Sequence, residues 1–285
     1  MAVYIDPPRW PAHGTVFSHM ISDASHVELH RTAEAIGLGE RAFDEDHYDV
    51  PAKMYEAAIE AGAIAVGGGE LIRILRRSGL RVPPTERAER VVPLLREQWR
   101  ALRPGDPALG EDLLSRWGQA LRAYHTPVHL YECLGRIAEL TPTPREEVLL
   151  AAWFHDAVYD GVAGQDEERS AALARERLGG SLGREVARLV RLTIDHRVPR
   201  GDGAGAALVD ADLGILAASP GRYQRYAAQI RREYSHVSPA DWRRGRRAVL
   251  EDFRGRPHLF LTPRAKRDWG AAARRNLDWE LGKLT

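Results

Sequence analysis

The stretch "YHTPVHL" sets His125 and His129 four positions apart, on either side of Thr126-Pro127. Twenty-six residues after His129, "WFHDAVYD" places His155 and Asp156 side by side in an apolar run. An imidazole and a carboxylate in a buried segment must be paired or bound to something, because an unpaired buried polar or charged group is destabilising. A divalent cation meets that need: imidazole nitrogen and carboxylate oxygen are ordinary ligands, and the ion offsets the carboxylate charge. A metal held by three or four such ligands leaves positions for water and a phosphate oxygen, which is hydrolytic chemistry. Plainer readings stand beside this one. His125 alone reads as a residue at a helix cap, and His129 alone as a surface or core histidine. The His155-Asp156 pair alone also reads as a hydrogen bond tying two helices together. Farther on, "LVDADLGILAA" carries Asp210 and Asp212 at the start of an apolar helical run, where aspartate is common for capping reasons. Two residues apart, they face different ways, so one at most joins a shared site, and Asp210 is expected to point away. His196 ends "RLVRLTIDH"; it suits a helix C-terminus or reaches toward a second metal position.

These residues need elements to position them. Thr126 is a good N-cap and Pro127 a good first helical residue, so a helix starts there with His129 in its first turn. The apolar residues around His155-Asp156 predict a mostly buried helix running through the pair. From residue 89 to 285 the chain reads as helical almost throughout, with Pro, Gly and capping residues as separators. The first part differs. Residues 1–82 read β-α-β-α-β-α: strands at "AVYI", "RAF" and "AIAV", with helices at "HVELHRTAEAIGL", "AKMYEAAIEAG" and "GGGELIRILRRSG". Short crossovers favour a small three-strand parallel sheet. The two-proline, charged stretch at 83–88 marks a linker. The expected fold class is therefore α+β in two domains, a small α/β domain and then an all-α domain.

In a parallel sheet the loops after the strands gather at one edge, where ligands bind. Asp6, His13, His19, Asp46, His47 and Asp49 follow the first two strands and form a second candidate site. Polar loop residues that merely cap helices explain the same pattern. His26 and His30, one turn apart on an amphipathic helix, read as surface. "VGGGEL" suits an anion at a helix start but lacks the Lys-Ser/Thr of a P-loop.

Composition narrows the function classes. The 285 residues are 44% apolar and 28% charged with net charge +1, which removes any bulk electrostatic case for nucleic acid or an anionic membrane. Of the 41 basic residues 38 are arginine, a supply of guanidinium forks suited to phosphate. The single cysteine, Cys133, excludes an internal disulfide and a Cys-rich zinc site. With no signal-peptide pattern at the start and no long apolar span, the expectation is a cytoplasmic protein.

The order "YHxxxH", then "HD", then "ADL" resembles the HD superfamily of metal-dependent phosphohydrolases. It is most similar to the branch of predicted phosphohydrolases carrying "YHTxxH" and "FHDxVYD", and related to the "YHNxxH" arrangement of cyclic-nucleotide phosphodiesterases. The resemblance covers roughly residues 115 to 280, including "RREY" and "ARRNL". It implies an all-helical HD-type domain that cleaves a phosphomonoester or nucleotide with a divalent cofactor such as Mn, Mg, Fe or Zn. It further implies His129, His155, Asp156 and Asp212 as metal ligands and His125 as the histidine that protonates the leaving oxygen. Asp156 or the distal carboxylate would orient the attacking water. Two-metal members carry two more histidines before the last aspartate; this chain has His196 alone there, so one tightly held ion is expected, with a weaker second. Arg231, Arg232, Arg246 and Arg247 are the phosphate-binding candidates, and Glu167 and Ser170 match a family segment near the metal. The expected partner is a small phosphorylated substrate, with no membrane and no nucleic acid. The main alternative is an HD nucleotide sensor without turnover; oxidative di-iron chemistry is another, disfavoured by the missing histidine. The first domain resembles a small domain of uncharacterised function with "SHMISD"-like and "DHYDV"-like segments.

Overall fold

Side chains along "TVFSHMIS" alternate, and this segment forms β3 (Thr15–Ser22), the longest strand of the first unit. The structure, a computed structural model, describes residues 2–12, 14–83, 86–162 and 164–284. Cα packing divides the chain into two units, Met1–Pro83 and Pro84–Thr285, with the boundary inside the two-proline stretch. It is an α+β layout, a small sheet domain followed by a helical one.

The sheet is not the expected parallel one. Around β3 lie β1 (Val3–Ile5), β2 (Trp10–Ala12), β4 (Phe43–Asp44), β5 (His47–Pro51) and β6 (Ile64–Ala65), in the order β4-β5-β3-β1-β6 with β2 also on β3. Among the described strands, β1 with β6 is the one parallel pair; every other pairing is antiparallel. Tight turns explain the difference, because antiparallel neighbours need only a few linking residues whereas parallel ones need a long crossover. Glu45 adopts φ 61° in the turn from β4 to β5, a left-handed conformation characteristic of two-residue hairpins. "DEDHYDVP", read as a polar turn, is mostly strand, with Tyr48 and Val50 inward and His47 and Asp49 outward. One sheet face packs Ile5, Met20, Tyr48 and Val50 against Leu29 and Ala33 of α1 (His26–Ala35) and Ala58 of α2 (Tyr55–Glu60). The other packs Ile21 and Tyr4 against Leu71, Ile74 and Leu75 of α3 (Gly68–Ser78).

In the second unit the described residues form eleven helices, α4 (Ala88–Leu102), α5 (Pro107–Trp117), α6 (Pro127–Leu140), α7 (Glu146–Phe154), α8 (Gln165–Leu178), α9 (Gly180–Arg191), α10 (Gly203–Asp212), α11 (Pro220–Glu233), α12 (Pro239–Gly255), α13 (Pro263–Asp268) and α14 (Gly270–Lys283). Trp99, Trp117 and Trp153 join the core formed mainly by α4 to α10, and Tyr223, Leu250, Phe260 and Leu277 anchor a second core toward the C-terminus. No helix among the described residues is long and apolar enough to cross a membrane.

Three boundaries differ from the sequence reading, and each matters for the site. α7 stops at Phe154, so His155-Asp156 sits in the turn after the helix rather than within it. The Trp117 indole donates to the Trp153 carbonyl at 2.9 Å, one of the orphan acceptors at that helix end. α5 ends at Trp117 before Gly118, leaving the irregular connection that carries Tyr124 and His125. α10 begins at Gly203 and ends at Asp212, so Asp210 and Asp212 close a helix instead of opening one. Gly, Ala-rich "GAGAAL" has a weak helix propensity at its glycines, yet a Cβ on Gly205 would meet Leu192 at 2.5 Å. Glycine is therefore required at 205 by close packing against Leu192, just past the end of α9.

Arg246 is buried and makes a bidentate pair with Glu280 at 2.8 and 3.0 Å, while the Tyr223 hydroxyl donates to the same carboxylate at 2.6 Å. Removing one member of such a pair leaves a buried charge unmatched, so Glu280→Ala should destabilise the helical unit by about 3–5 kcal/mol. Urea unfolding followed by tryptophan fluorescence measures it; a midpoint equal to that of wild type would contradict the assignment.

Candidate metal centre

Three helix ends deliver four side chains to one place. His129 comes from the first turn of α6, which Thr126 and Pro127 start as expected, although the Thr126 hydroxyl makes no capping hydrogen bond. His155 and Asp156 come from the turn after α7, and Asp212 from the last residue of α10. His129 Nε2 lies 3.1 Å from Asp212 Oδ1, 3.2 Å from His155 Nε2 and 3.7 Å from Asp156 Oδ2. His155 Nε2 lies 3.1 Å from Asp156 Oδ2 and 3.7 Å from Asp212 Oδ1. Both histidines are fully buried.

The tautomer of His155 is set by its surroundings. Nδ1 faces the Ala152 carbonyl at 2.8 Å, an acceptor only, so Nδ1 carries a hydrogen and Nε2 is the atom turned to the cluster. Electrostatics there demand positive charge. Burial works against a charged His155 ring, but Asp156 and Asp212 outweigh it and hold its pKa well above the usual histidine value. Burial opposes ionisation of Asp156 too, yet His155 and His125 keep it well below the usual carboxylate range. Asp212 is held low in the same way against burial by His129, His155 and His196. His129 is driven toward its neutral form by burial. Ionised carboxylates, a neutral His129 and a His155 ring that holds a proton at 3.1–3.7 Å spacing fit a divalent cation that would take that proton's place, with bonds of about 2.0–2.2 Å.

His125 stands beside this cluster, with Nε2 4.0 Å from Asp156 Oδ2. Glu233 fixes it. Oε1 accepts the backbone N–H groups of Ala123, Tyr124 and His125 at 2.7, 2.8 and 3.0 Å. Oε2 accepts from His125 Nδ1 at 2.7 Å and from the Tyr159 hydroxyl at 2.9 Å, and the Tyr159 ring stacks on the imidazole. Burial opposes the charge of Glu233, but His125 brings its pKa down to about 2. Burial also opposes protonation of His125, and Asp156 with Glu233 raises it above its ordinary value nonetheless. Arg122 ties the pieces together by donating to the carbonyls of His125, Asp156 and Ala157 at 3.1, 2.7 and 3.4 Å.

His196 does reach the cluster. Its Nε2 lies 3.0 Å from Asp212 Oδ2, so Asp212 turns one oxygen to His129 and the other to His196. His196 holds φ 54°, an uncommon conformation for a residue with a Cβ. Arg256 braces it by donating to the carbonyls of Asp195 and His196 at 2.8 and 3.0 Å. Asp210 points elsewhere: it is buried and accepts from Leu261 N, Thr262 N and the Thr262 hydroxyl at the start of α13.

The arginine expectations fare differently. Arg232 is exposed and lies off the cavity beside the cluster. Arg247 pairs with Glu251 on the surface. Arg231 donates to the Tyr234 and Val237 carbonyls. Arg246 lines the cavity but is committed to Glu280. Glu167 lines the same cavity and accepts from Gly164 N at 2.7 Å. Ser170 is buried and accepts from Val158 N, bracing the chain just after His155-Asp156. The cavity measures about 490 Å³ and is walled by Tyr124, Tyr226, Trp242 and Phe253, with His125 and Asp212 at its polar end.

Four residues of this arrangement escaped the sequence reading: Glu233, Arg122, Tyr159 and Cys133. The Cys133 thiol lies 3.6 Å from His129 Nε2, and its spacing of four from His129 on one helix was a legible signal. Glu233 lies in "RREY", 108 residues from His125, a separation at which spacing carries no information.

In the first unit, Asp6, His19, Asp46, His47 and Asp49 lie together, while His13 lies outside the described residues. Strand pairing brings them together rather than loops at a parallel sheet's edge, since His19 and Asp49 are cross-strand partners on β3 and β5. His30 is exposed, as expected, and its Nδ1 lies 2.9 Å from the Tyr48 hydroxyl, while His26 is half-buried. Gly68 of the glycine run approaches Asp6, as a Cβ there would meet Asp6 Oδ2 at 3.3 Å, a poor setting for an anion.

Residues 3–78 match the model of a family described as a protein of unknown function (DUF4031). No curated protein and no solved structure matches the chain.

Proposed function

We propose that the helical unit is a cytoplasmic, metal-dependent phosphohydrolase of the HD type. The observation that carries this reading is the meeting of His129, His155, Asp156 and Asp212 in one buried cluster with His125 poised beside it. A divalent ion held by those four side chains supplies Lewis acidity and a water of lowered pKa. Asp156, kept ionised, would orient the attacking water, whose proton passes to solvent at its lowered pKa. His125, held protonated against Glu233 and Asp156, donates to the departing oxygen and leaves an alcohol and inorganic phosphate. Tyr159 and the three backbone N–H groups on Glu233 keep the imidazole aimed.

The cavity narrows the substrate class. Its walls are largely aromatic and aliphatic, and among the described lining residues Arg246 is the one Lys or Arg side chain, already paired with Glu280. A chain of phosphates would find no arginine clamp here. A monophosphate ester with an apolar or aromatic body, a nucleoside monophosphate included, suits it better. The Tyr124 hydroxyl, buried and without a hydrogen-bond partner among the described residues, is ready for a polar atom of that body.

Replacing Glu233 tests the pairing with His125. Glu233→Gln keeps an acceptor for the three backbone N–H groups but removes the charge that raises the His125 pKa. An acid must be protonated to act, so activity falls as pH rises through that pKa. The basic limb of kcat/KM should therefore move to lower pH in Glu233→Gln. An unmoved limb would show that His125 is not the acid. A substrate panel of phosphomonoesters, each assayed with Mn, Mg, Fe and Zn, tests the function itself. Nucleotide binding without turnover under any metal would favour the sensor instead.

A further inference from the structure

The sheet of the first unit places two imidazoles on one carboxylate. His19 on β3 and Asp49 on β5 are direct antiparallel partners, and His47 is two residues before Asp49 on the same strand face. His19 Nε2 and His47 Nε2 lie 3.7 and 3.6 Å from the same oxygen, Asp49 Oδ1. The rings meet edge to face with centroids 4.9 Å apart.

Each ring is oriented from behind by a second, buried carboxylate. Asp6 Oδ2 lies 3.4 Å from His19 Nδ1 and also accepts from the Trp10 indole at 3.1 Å, while Asp6 Oδ1 accepts His19 N at 2.6 Å. Asp46 Oδ1 lies 2.7 Å from His47 Nδ1, and its Oδ2 accepts from Val82 N and Arg81 at 2.6 and 3.2 Å. A carboxylate only accepts, so each Nδ1 carries a hydrogen and each Nε2 is the ring atom turned to Asp49 Oδ1. Burial opposes charge on the His47 ring, but Asp46 and Asp49 outweigh it and bring its pKa up to about 9, so this cluster favours a cation at Nε2, whether a proton or a metal ion. A proton on His47 answers one of the two contacts, whereas one divalent ion meets both Nε2 atoms and Asp49 Oδ1 together. The 3.6–3.7 Å separations exceed hydrogen-bond length and approach the roughly 3.4 Å between ligand atoms about a tetrahedral centre with bonds of about 2.1 Å.

We infer that His19, His47 and Asp49 form a second, separate metal site in the first unit, oriented by Asp6 and Asp46. Two imidazole nitrogens select a transition ion of the zinc class over calcium or magnesium, which prefer all-oxygen shells. A carboxylate backing each histidine is the usual outer-shell device of such sites. The side chains of His19 and Asp49 are 27% and 46% exposed, so the remaining coordination positions open to solvent. Three ligands with open positions is the pattern of a catalytic zinc site rather than a closed structural one.

The test uses the full chain, stripped with chelator and titrated with Zn²⁺ alone, with bound zinc counted by elemental analysis after desalting. His47→Gln and His19→Gln should each bind one equivalent fewer than wild type. Asp156→Ala, altered in the helical unit, should retain that equivalent, so the two sites report independently. Asp49→Asn is isosteric and partly exposed, so it keeps the sheet; its zinc affinity at this site should fall at least about tenfold. Crystals soaked in zinc and measured at its absorption edge should show an anomalous peak among His19, His47 and Asp49. Equal zinc equivalents in wild type and both histidine variants, or no peak at these residues, would overturn the assignment.

Discussion

His125→Ala should keep its metal and its substrate affinity while kcat falls by about 10²–10⁴, the scale of a lost general acid. The loss should depend on the leaving group. A nitrophenolate departs without a proton and should be affected little, whereas an alkyl alkoxide needs one and should show the full decrease. The geometry behind this expectation is specific: His125 Nε2 approaches Asp156 at 4.0 Å, while Nδ1 is occupied by Glu233. One nitrogen is thus committed to orientation and the other is free to serve the substrate side of the cluster. Equal losses on good and poor leaving groups would mean that His125 is a ligand or a structural residue.

Asp156→Ala should remove metal and activity together. Activity should drop by more than about 10²-fold, since even outer-shell changes at metal sites cost 10–100-fold. Stability should respond as well. An ion that binds the folded chain alone stabilises it by about 2.7 kcal/mol at a hundred times its dissociation constant. Chelator should therefore lower the melting temperature of the wild-type helical unit and leave that of Asp156→Ala nearly unchanged. The variant also strips the buried His155 of its 3.1 Å carboxylate neighbour, a further destabilisation that metal cannot restore. Undiminished metal in the helical unit of Asp156→Ala would show that the ligand assignment is wrong.

Local patterns were legible wherever a residue and its partners lie on one helix or at its cap. Thr126-Pro127 marked the start of α6, and the apolar run before His155 marked a buried helix. The division near the two prolines was visible as a break in pattern. Long-range pairing was not visible: Glu233 reaches His125 across 108 residues, and nothing in the spacing of "RREY" announces it. The sheet shows a different failure. Helix-like stretches between short apolar runs suggested parallel crossovers, and the hairpins at Gly14 and Glu45 were read as loops. His19, His47 and Asp49 do lie together, brought there by the antiparallel register rather than by loops at a parallel sheet's edge. Among the arginines, abundance hid the useful ones. Arg122, which braces the cluster through three carbonyls, stands beside "YHTPVHL" in the sequence, but side-chain-to-carbonyl contacts leave no periodic trace.

The helical unit's proposed chemistry rests on one metal at His129, His155, Asp156 and Asp212. The most direct measurement is hydrolysis of a nucleoside monophosphate and of nitrophenyl phosphate by chelator-stripped full-length protein, before and after each divalent metal is restored. Phosphate release that is absent from the stripped protein, returns with metal, and fails to return in Asp212→Asn is the expected result. Release that persists in chelator, or that Asp212→Asn supports at the wild-type rate, would contradict it.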